Sequence, residues 1–453
     1  MRNKVSKQTK ISRRDFLGSA AAVTAFTIVP RHVLAGSGQT APSDKLNLGC
    51  IGCGGMQGGT DIYNVSSENI YALCDVDDRE AAERFQQYPK AKRYKDFRKM
   101  LDEEYKNLDG VTVTIPDHMH THASLMAMER GLGVHCQKPL TKYVWEANLL
   151  KKAAEKYNVI TQMGNQGYSA EATRLACEII WRGDLGDITE VHASTNSRGP
   201  GFGRRVNTWP DPEPIPAEFD WDLWLGCSNS GRTYTSAVHP NTWRGFVDFG
   251  SGMLGDWGFH IMGPANWALK LGSPTSVQCL SVDGLDDINW SDNDLIKWEF
   301  PARGEMPPVS IYWHHGDSNL PVPPDLTRND ISRYNEVFYG TKGYLGTAGR
   351  GESIGLIPDS KRIGFVKPDQ VLPRSPGHYM EWIEAMKSKK PSSSDFRIAG
   401  LWGEWIALGY VALRFPGETL MWDPKNLRIT NNEKANEYIK PTYRKGWELK
   451  DIA

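Results

Sequence analysis

The stretch that decides the fold is Leu46-Asn47-Leu48-Gly49-Cys50-Ile51-Gly52-Cys53-Gly54-Gly55-Met56-Gln57, answered 23 residues after Gly52 by Tyr71-Ala72-Leu73-Cys74-Asp75. An apolar strand running into Gly-x-Gly, with a carboxylate closing the next apolar run, presents a helix N-terminus to a dinucleotide pyrophosphate. Gly52 permits the tight turn, and Gly54 lets the backbone approach the phosphates. The orphan N–H groups and positive dipole end of the following helix supply the attraction. Asp75 accepts hydrogen bonds from the adenosine ribose. Cys53, Gly55, Met56 and Gln57 complete the cofactor loop. A third glycine is expected where the chain has Gln57, with Gly58 and Gly59 just after it, so close packing of helix on strand is not specified there. The run Asp75-Val76-Asp77-Asp78 sets negative charge where a 2′-phosphate would sit, which favours NAD and leaves NADP as the alternative.

At 453 residues the chain exceeds one typical core, and its composition, 40% hydrophobic and 24% charged, is that of an ordinary globular protein. A net charge of -1 provides no basic field for nucleic acid. The N-terminus differs from the rest. Ser12-Arg13-Arg14-Asp15-Phe16-Leu17 precedes a mildly apolar run to Val29, and Val33-Leu34-Ala35 offers small residues for cleavage. This reads as a twin-arginine signal over 1–35, and it predicts a bacterial protein exported to the periplasm or beyond. No later segment approaches the ~18 consecutive apolar residues of a membrane span. Such export moves folded proteins, so a nicotinamide cofactor would be loaded in the cytoplasm and held tightly. The seven cysteines, an odd number in apolar surroundings, read as small core residues and not as a disulfide framework.

From Asp44 onward, strand-like runs at 46–51, 69–75, 110–115, 133–136 and 158–163 alternate with helical periodicity at 78–87, 96–104, 120–131 and 142–157. That alternation predicts a parallel sheet covered by helices. After Gly164 the texture turns to longer Gly-, Pro- and Trp-rich stretches between strand candidates at 187–196, 275–282, 293–300 and 308–314. Helical sections follow at 378–387 and 398–414. The predicted organisation is α/β: a nucleotide-binding Rossmann domain at 44–164 and a C-terminal α+β domain at 165–445 with a large, mostly antiparallel open sheet. The segment 200–240 carries Trp209, Trp221 and Trp224, too many large rings for a flexible linker.

Three further motifs accompany the glycine loop: Ile115-Pro116-Asp117-His118-Met119-His120, Cys136-Gln137-Lys138-Pro139, and Gly255-Asp256-Trp257-Gly258-Phe259-His260. In order and spacing the chain from about 44 to 445 resembles the glucose-fructose oxidoreductase, inositol dehydrogenase and MocA (Gfo/Idh/MocA) family of NAD(P)-dependent sugar and polyol enzymes. Trp243-Arg244 and Trp422-Asp423-Pro424 match its exported branch. The resemblance implies a catalytic group of Lys138, Asp256 and His260, and a loop beside the cofactor containing Pro116, Asp117 and His120. It also puts Gln137 where the family has Glu; an amide keeps hydrogen bonds to cofactor hydroxyls but is neither acid nor base. The chemistry is coherent in its own terms. Oxidising a secondary alcohol needs a base with pKa near working pH, which suits histidine, and a cation to steady the developing alkoxide, which suits Lys138. Asp256 and His260, at i and i+4, would share a helix face, so the carboxylate would orient the imidazole or stabilise its cation. Tryptophans 209, 243 and 257 lie near the expected site loops, where flat rings stack on sugars. His118, His120 and His122 lack a Cys or carboxylate completing a tetrahedral set, so no metal is expected.

The expected function is an exported NAD(P)-dependent oxidoreductase moving hydride to or from a hydroxyl of a sugar, cyclitol or sugar derivative, with tightly bound cofactor. The alternatives are a redox-neutral, NAD-dependent glycosidase or lyase working through a 3-keto intermediate and, below it, a non-catalytic sugar-binding protein. The expected partners are a small carbohydrate and further copies of the chain, as a dimer or tetramer through the C-terminal sheet.

Overall fold

Four of the first six strands are short runs buried almost throughout, the pattern of a parallel sheet between helices. A computed structural model describes residues 44–196, 202–316 and 319–452; the expected export signal lies outside them. The strands are β1 (Asn47–Ile51), β2 (Asn69–Cys74), β3 (Lys92–Tyr94), β4 (Gly110–Val113), β5 (Gly133–Gln137) and β6 (Thr161–Gly164). They lie in the order β3-β2-β1-β4-β5-β6, every pair parallel. The chain reverses its direction of travel between β1 and β4, and at such a switch point the loops diverge beyond the strands' carboxyl ends to open a crevice.

Helices α1 (Gly55–Val65), α2 (Asp78–Gln87), α3 (Phe97–Glu104), α4 (His120–Glu129) and α5 (Val144–Tyr157) make the connections. Asp77 caps α2 and Asp96 caps α3, each accepting a hydrogen bond from the backbone N–H two residues on. Strand β3 escaped the sequence reading because Lys92-Arg93-Tyr94 is a half-exposed edge with no apolar signature.

After α6 (Glu171–Arg182) the chain builds a second sheet from β7 (Ile188–Thr195), β8 (Ser276–Asp283), β9 (Asn293–Phe300), β10 (Val309–His315), β11 (Glu336–Gly340), β12 (Gly343–Ala348), β13 (Ser353–Ile357), β14 (Thr419–Asp423) and β15 (Arg428–Ile429). Their order is β13-β12-β11-β7-β10-β9-β8-β14-β15. Neighbours are antiparallel except for β7 beside β10. The fold class expected from sequence is therefore the one observed. Strands β11 to β13 had no counterpart in the sequence reading, because glycines interrupt their alternation.

Two late helices, α7 (His378–Ser388) and α8 (Phe396–Ala412), return towards the first sheet. Fourteen of the seventeen residues of α8 are buried, so it is an internal helix and not a surface one. It lies between α5 and the second sheet: Trp405 meets Trp298 of β9 edge-on, and the backbone at Gly400 closes on Ala147 and Lys151 of α5. One hydrophobic cluster consequently runs from β4 and α5 through α8 into β8, β9 and β10. A second groups Trp221, Trp224, Phe246 and Phe249, with Trp209 against it, and orders the tryptophan-rich excursion. Among the described residues no helix is long and apolar enough to cross a membrane.

Candidate active site and cofactor cleft

The turn after β1 depends on two glycines. Gly52 has φ of +79°, and a Cβ there would stand 2.2 Å from the Thr114 carbonyl oxygen. At Gly58 a Cβ would stand 2.3 Å from the Gly52 carbonyl oxygen, so the close contact of helix on strand, unspecified at Gln57, is made one residue later. Helix α1 starts at Gly54 without a side-chain cap, which leaves its first N–H groups facing the crevice. Asp75 ties the turn to β2: its carboxylate accepts from Gly54 N at 2.7 Å and Asp77 N at 3.0 Å. Burial pushes its pKa up to about 6. Arg79, the cation nearest in sequence, is committed to Asp77, which also accepts from His239. Nearby negative charge and an occupied arginine fit an adenosine ribose without a 2′-phosphate.

A cleft enclosing about 1180 Å³, counting its open mouth, is lined by Gly52, Gly54, Gly55, Met56, Gln57, Asp75, Pro116, Asp117, His120, Gln137 and Lys138. Cys53 alone of the expected cofactor residues does not line it. Its side chain is wholly buried in the core beside Ile62 and Ala81, because the residue between the glycines points back under the sheet. The other six cysteines are likewise buried and unbridged.

The three histidines after β4 are each held by backbone carbonyls. His118 Nε2 meets Trp224 O, and His122 Nε2 meets Trp447 O. His120 is different, since both its nitrogens lie against carbonyls: Nδ1 at 2.7 Å from Pro139 O and Nε2 at 2.8 Å from Ile115 O. A neutral imidazole has one donor, so this geometry calls for the imidazolium. Burial opposes that charge, but the Cys136 sulfur, Asp117 and the Pro139 carbonyl outweigh it and raise the pKa to about 9. His120 thereby joins the loops leaving β4 and β5.

Gln137 turns its amide nitrogen to Asp61 of α1, 2.9 Å from both carboxylate oxygens. Asp61 also accepts from Gln57, Thr114 and Tyr379. A glutamate at 137 would oppose a second buried carboxylate; the amide instead supplies a donor. Asp61 was not anticipated, since a lone acid in the middle of a helix gives no sign that it faces inward.

Lys138, at the end of β5, donates to the main-chain oxygen of Asp256 at 2.8 Å and to its carboxylate. Asp256 lies in a turn of π-helix, Leu254–Gly258, that gives way to a short helix at Phe259–Ile261, so the two acidic and basic side chains of the motif do not sit on one regular helix. Burial would raise the Asp256 pKa, but Lys138, Arg244 and Arg350 hold it below the usual range. The partner of His260 is not Asp256 but Asn165, whose Oδ1 lies 3.2 Å from Nδ1. Asn165 Nδ2 donates to Phe259 O at 2.7 Å, which fixes the amide with its oxygen towards the ring. Nδ1 must then carry the proton, leaving the lone pair on Nε2. Burial, reinforced by the charges of Lys138 and Arg350, drives the His260 pKa well below its usual value. Of the three candidate tryptophans, Trp243 lines the cleft, Trp257 flanks His260, and Trp209 packs on Phe246 and Phe249 away from it.

A parallel sheet with a glycine turn at its switch point, followed by a large mixed sheet and by an excursion whose Trp224, His239, Trp243 and Arg244 add to the cleft wall, defines a Rossmann-type dinucleotide-binding protein with a C-terminal α/β region. The model of the Gfo/Idh/MocA oxidoreductase family's NAD-binding Rossmann fold matches residues 46–165, and that of its C-terminal alpha/beta domain matches 200–288. Both matched stretches are thus those of the Gfo/Idh/MocA oxidoreductase family. Glucose-6-phosphate 3-dehydrogenase of Bacillus subtilis (strain 168) is 25% identical over 168 residues, 36% of this chain and 46% of that protein. A 2,7-anhydro-N-acetylneuraminate hydratase of Mediterraneibacter gnavus is 23% identical over 91 residues, 20% of this chain and 24% of that protein. The chain thus matches less than half the length of either curated relative. Among solved structures, aldose-aldose oxidoreductase from Caulobacter crescentus, complexed with glycerol, aligns with a TM-score of 0.57 at 16% identity, over 83% of this chain and 100% of that one. Levoglucosan dehydrogenase, in complex with NADH and levoglucosan, aligns with a TM-score of 0.54 at 16% identity, over 83% and 99%. Such likeness establishes the fold.

Proposed function

We propose that the protein binds NAD(H) in the cleft beyond β1 and β4 and uses it to oxidise or reduce a hydroxyl of a sugar or related polyol. The observation that carries this reading is the continuity of one cleft, with the glycine turn and Asp75 along it and Lys138, joined to Asp256, at its wall. The turn fits a dinucleotide: the uncapped start of α1 suits a pyrophosphate, and Asp75 suits the ribose. Bound there, the nicotinamide ring supplies the hydride acceptor or donor.

The remaining work falls to the chain. Lys138 offers a positive charge to an alkoxide while Asp256 holds its ammonium in place. His260, neutral and with its tautomer set by Asn165, offers Nε2 as the proton acceptor. The relatives' sugar chemistry supports a sugar hydroxyl as the target. An exported protein carrying its cofactor from the cytoplasm remains part of the reading, on the strength of the twin-arginine sequence alone.

The test is the absorbance and mass spectrum of the purified protein, followed by a panel of sugars and polyols without added acceptor. A bound or bindable dinucleotide and at most one stoichiometric change near the reduced-nicotinamide band are expected. A protein that neither carries nor binds NAD(H) refutes the proposal, and continuous release of aglycone from glycosides replaces it with the redox-neutral reading.

A further inference from the structure

The charges around Asp256 do not balance. Lys138 occupies its carboxylate, yet Arg244 Nε stands 3.8 Å from the same oxygen. The Arg244 guanidinium lies on the ring of Trp243, 4.2 Å from its centre, and lines the cleft with about a third of its side chain exposed. Among the described residues its one hydrogen bond is a long one, 3.5 Å to Asn241 O.

Arg350 approaches from the second sheet, at the end of β12. One guanidinium nitrogen donates to Gln166 at 2.6 Å, and the group stands 6.0 Å from the Trp257 ring. Its charge acts on both Asp256 and His260. The loop bearing it is closely packed: a Cβ on Gly167 would lie 1.6 Å from the Arg350 carbonyl oxygen, and the Thr173 hydroxyl, which donates to Gly167 O at 2.7 Å, lies 3.4 Å from Gly351 O. Such a seat fixes where the guanidinium works.

His120 has its own counter-groups in Cys136 and Asp117. Three positive groups, Lys138, Arg244 and Arg350, act on Asp256, and Asp117 is the other carboxylate beside Arg244, so the excess is at least one positive charge. Arg244 on the cleft wall keeps donors to spare, Arg350 adds its charge beside Asp256, and the planar fork of a guanidinium matches carboxylate and phosphate oxygens. The pyrophosphate has its own donors at the start of α1.

We propose that the substrate is an acidic sugar or polyol, bearing a carboxylate or phosphate, and that Arg244 and Arg350 bind its anionic group beside Asp256. This rests on reading the cleft as a sugar site served by NAD(H). The neutral hydroxyl to be oxidised is thereby oriented from a distance, because anchoring the anion fixes the ring against Lys138 and His260.

The test uses the full-length protein with and without NADH, following tryptophan fluorescence or calorimetry as sugars are added. The probes are matched sets in the gluco, galacto and manno configurations, each as the neutral hexose, its uronate and its 6-phosphate. In at least one configuration an acid should bind at least ~10-fold more tightly than its neutral parent, and the uronate and phosphate arms identify which anion is taken. Arg350→Gln should cut that preference at least ~10-fold while NADH affinity holds, whereas Arg428→Gln, in an exposed ion pair with Glu433, should not change it. Neutral sugars binding as well as acids in every configuration, including no acid binding at all, overturn the proposal; so does an Arg350→Gln variant that retains the preference or loses NADH instead. NADH affinity, read first in the same titration, judges the cofactor reading separately.

Discussion

His120 ties the loops of β4 and β5 together only while both ring nitrogens carry protons, so alkaline pH should weaken the protein at this point. Its pKa rises from 6.5 to about 9 on folding. A raised pKa contributes stability that is complete below the unfolded value and is lost as pH climbs through the folded one. At ~1.4 kcal/mol per unit, the difference comes to about 3 kcal/mol, present near pH 6 and gone by about pH 9.5. The group is 1% exposed, so solvent screening takes little from that figure. The perturbation is His120→Gln, whose amide carries no charge and serves one carbonyl well, leaving the other wanting a donor at every pH. Urea unfolding followed by tryptophan fluorescence, on both proteins across that pH range, should show the variant weaker by about 3 kcal/mol at the acid end and nearly equal at the alkaline end. Groups remote from His120 titrate in both proteins alike and cancel in the comparison. A stability gap that stays constant with pH would refute the doubly protonated His120.

The cofactor turn gives a second test: Gly58→Ala forces a methyl against the Gly52 carbonyl and should weaken NAD(H) at least ~10-fold, measured by nicotinamide fluorescence, with a loss of about 1–3 kcal/mol in stability. Asp75→Asn removes the charge together with one of the two backbone hydrogen bonds the carboxylate accepts, and should raise the ratio of NADP to NAD affinity; an unchanged ratio in paired titrations counts against Asp75 as the discriminating group. Lys138→Ala and His260→Ala should each lower turnover at least ~100-fold with the dinucleotide still bound, and near-normal turnover removes that residue from the chemistry. Asn165→Asp sets a carboxylate against the imidazole, favours its cation, and should move the acidic limb of the pH–rate profile to higher pH; an unmoved limb means His260 is not the base.

Much of this protein was legible in the chain itself. The glycine turn, the alternation of strands with helices and the acid closing β2 follow from local backbone and periodic constraints, and such signals survive in one dimension. They gave the parallel sheet, the α/β class and the cleft residues of the glycine turn with Asp75, while Pro116, Asp117, His120, Gln137 and Lys138 followed from the family resemblance. The second sheet was legible only in part, because β11 to β13 are glycine-broken and their partners are far away in sequence. Tertiary structure alone decided who meets whom around the cleft. Cys53 points under the sheet and not into the cleft; Gly58 does the packing that Gln57 could not; Asp61, an unremarkable helix acid, gathers Gln57, Thr114, Gln137 and Tyr379. The i, i+4 spacing of Asp256 and His260 promised a pair, but a π-turn and the charge of Lys138 draw the carboxylate one way while Asn165 holds the imidazole the other way. Spacing along a chain fixes which side chains can be neighbours on one element. Which of them become partners depends on charges and donors brought in from other elements, Asn165 from 91 residues before Asp256 and Arg350 from 94 residues after it, and only the folded chain sets those distances.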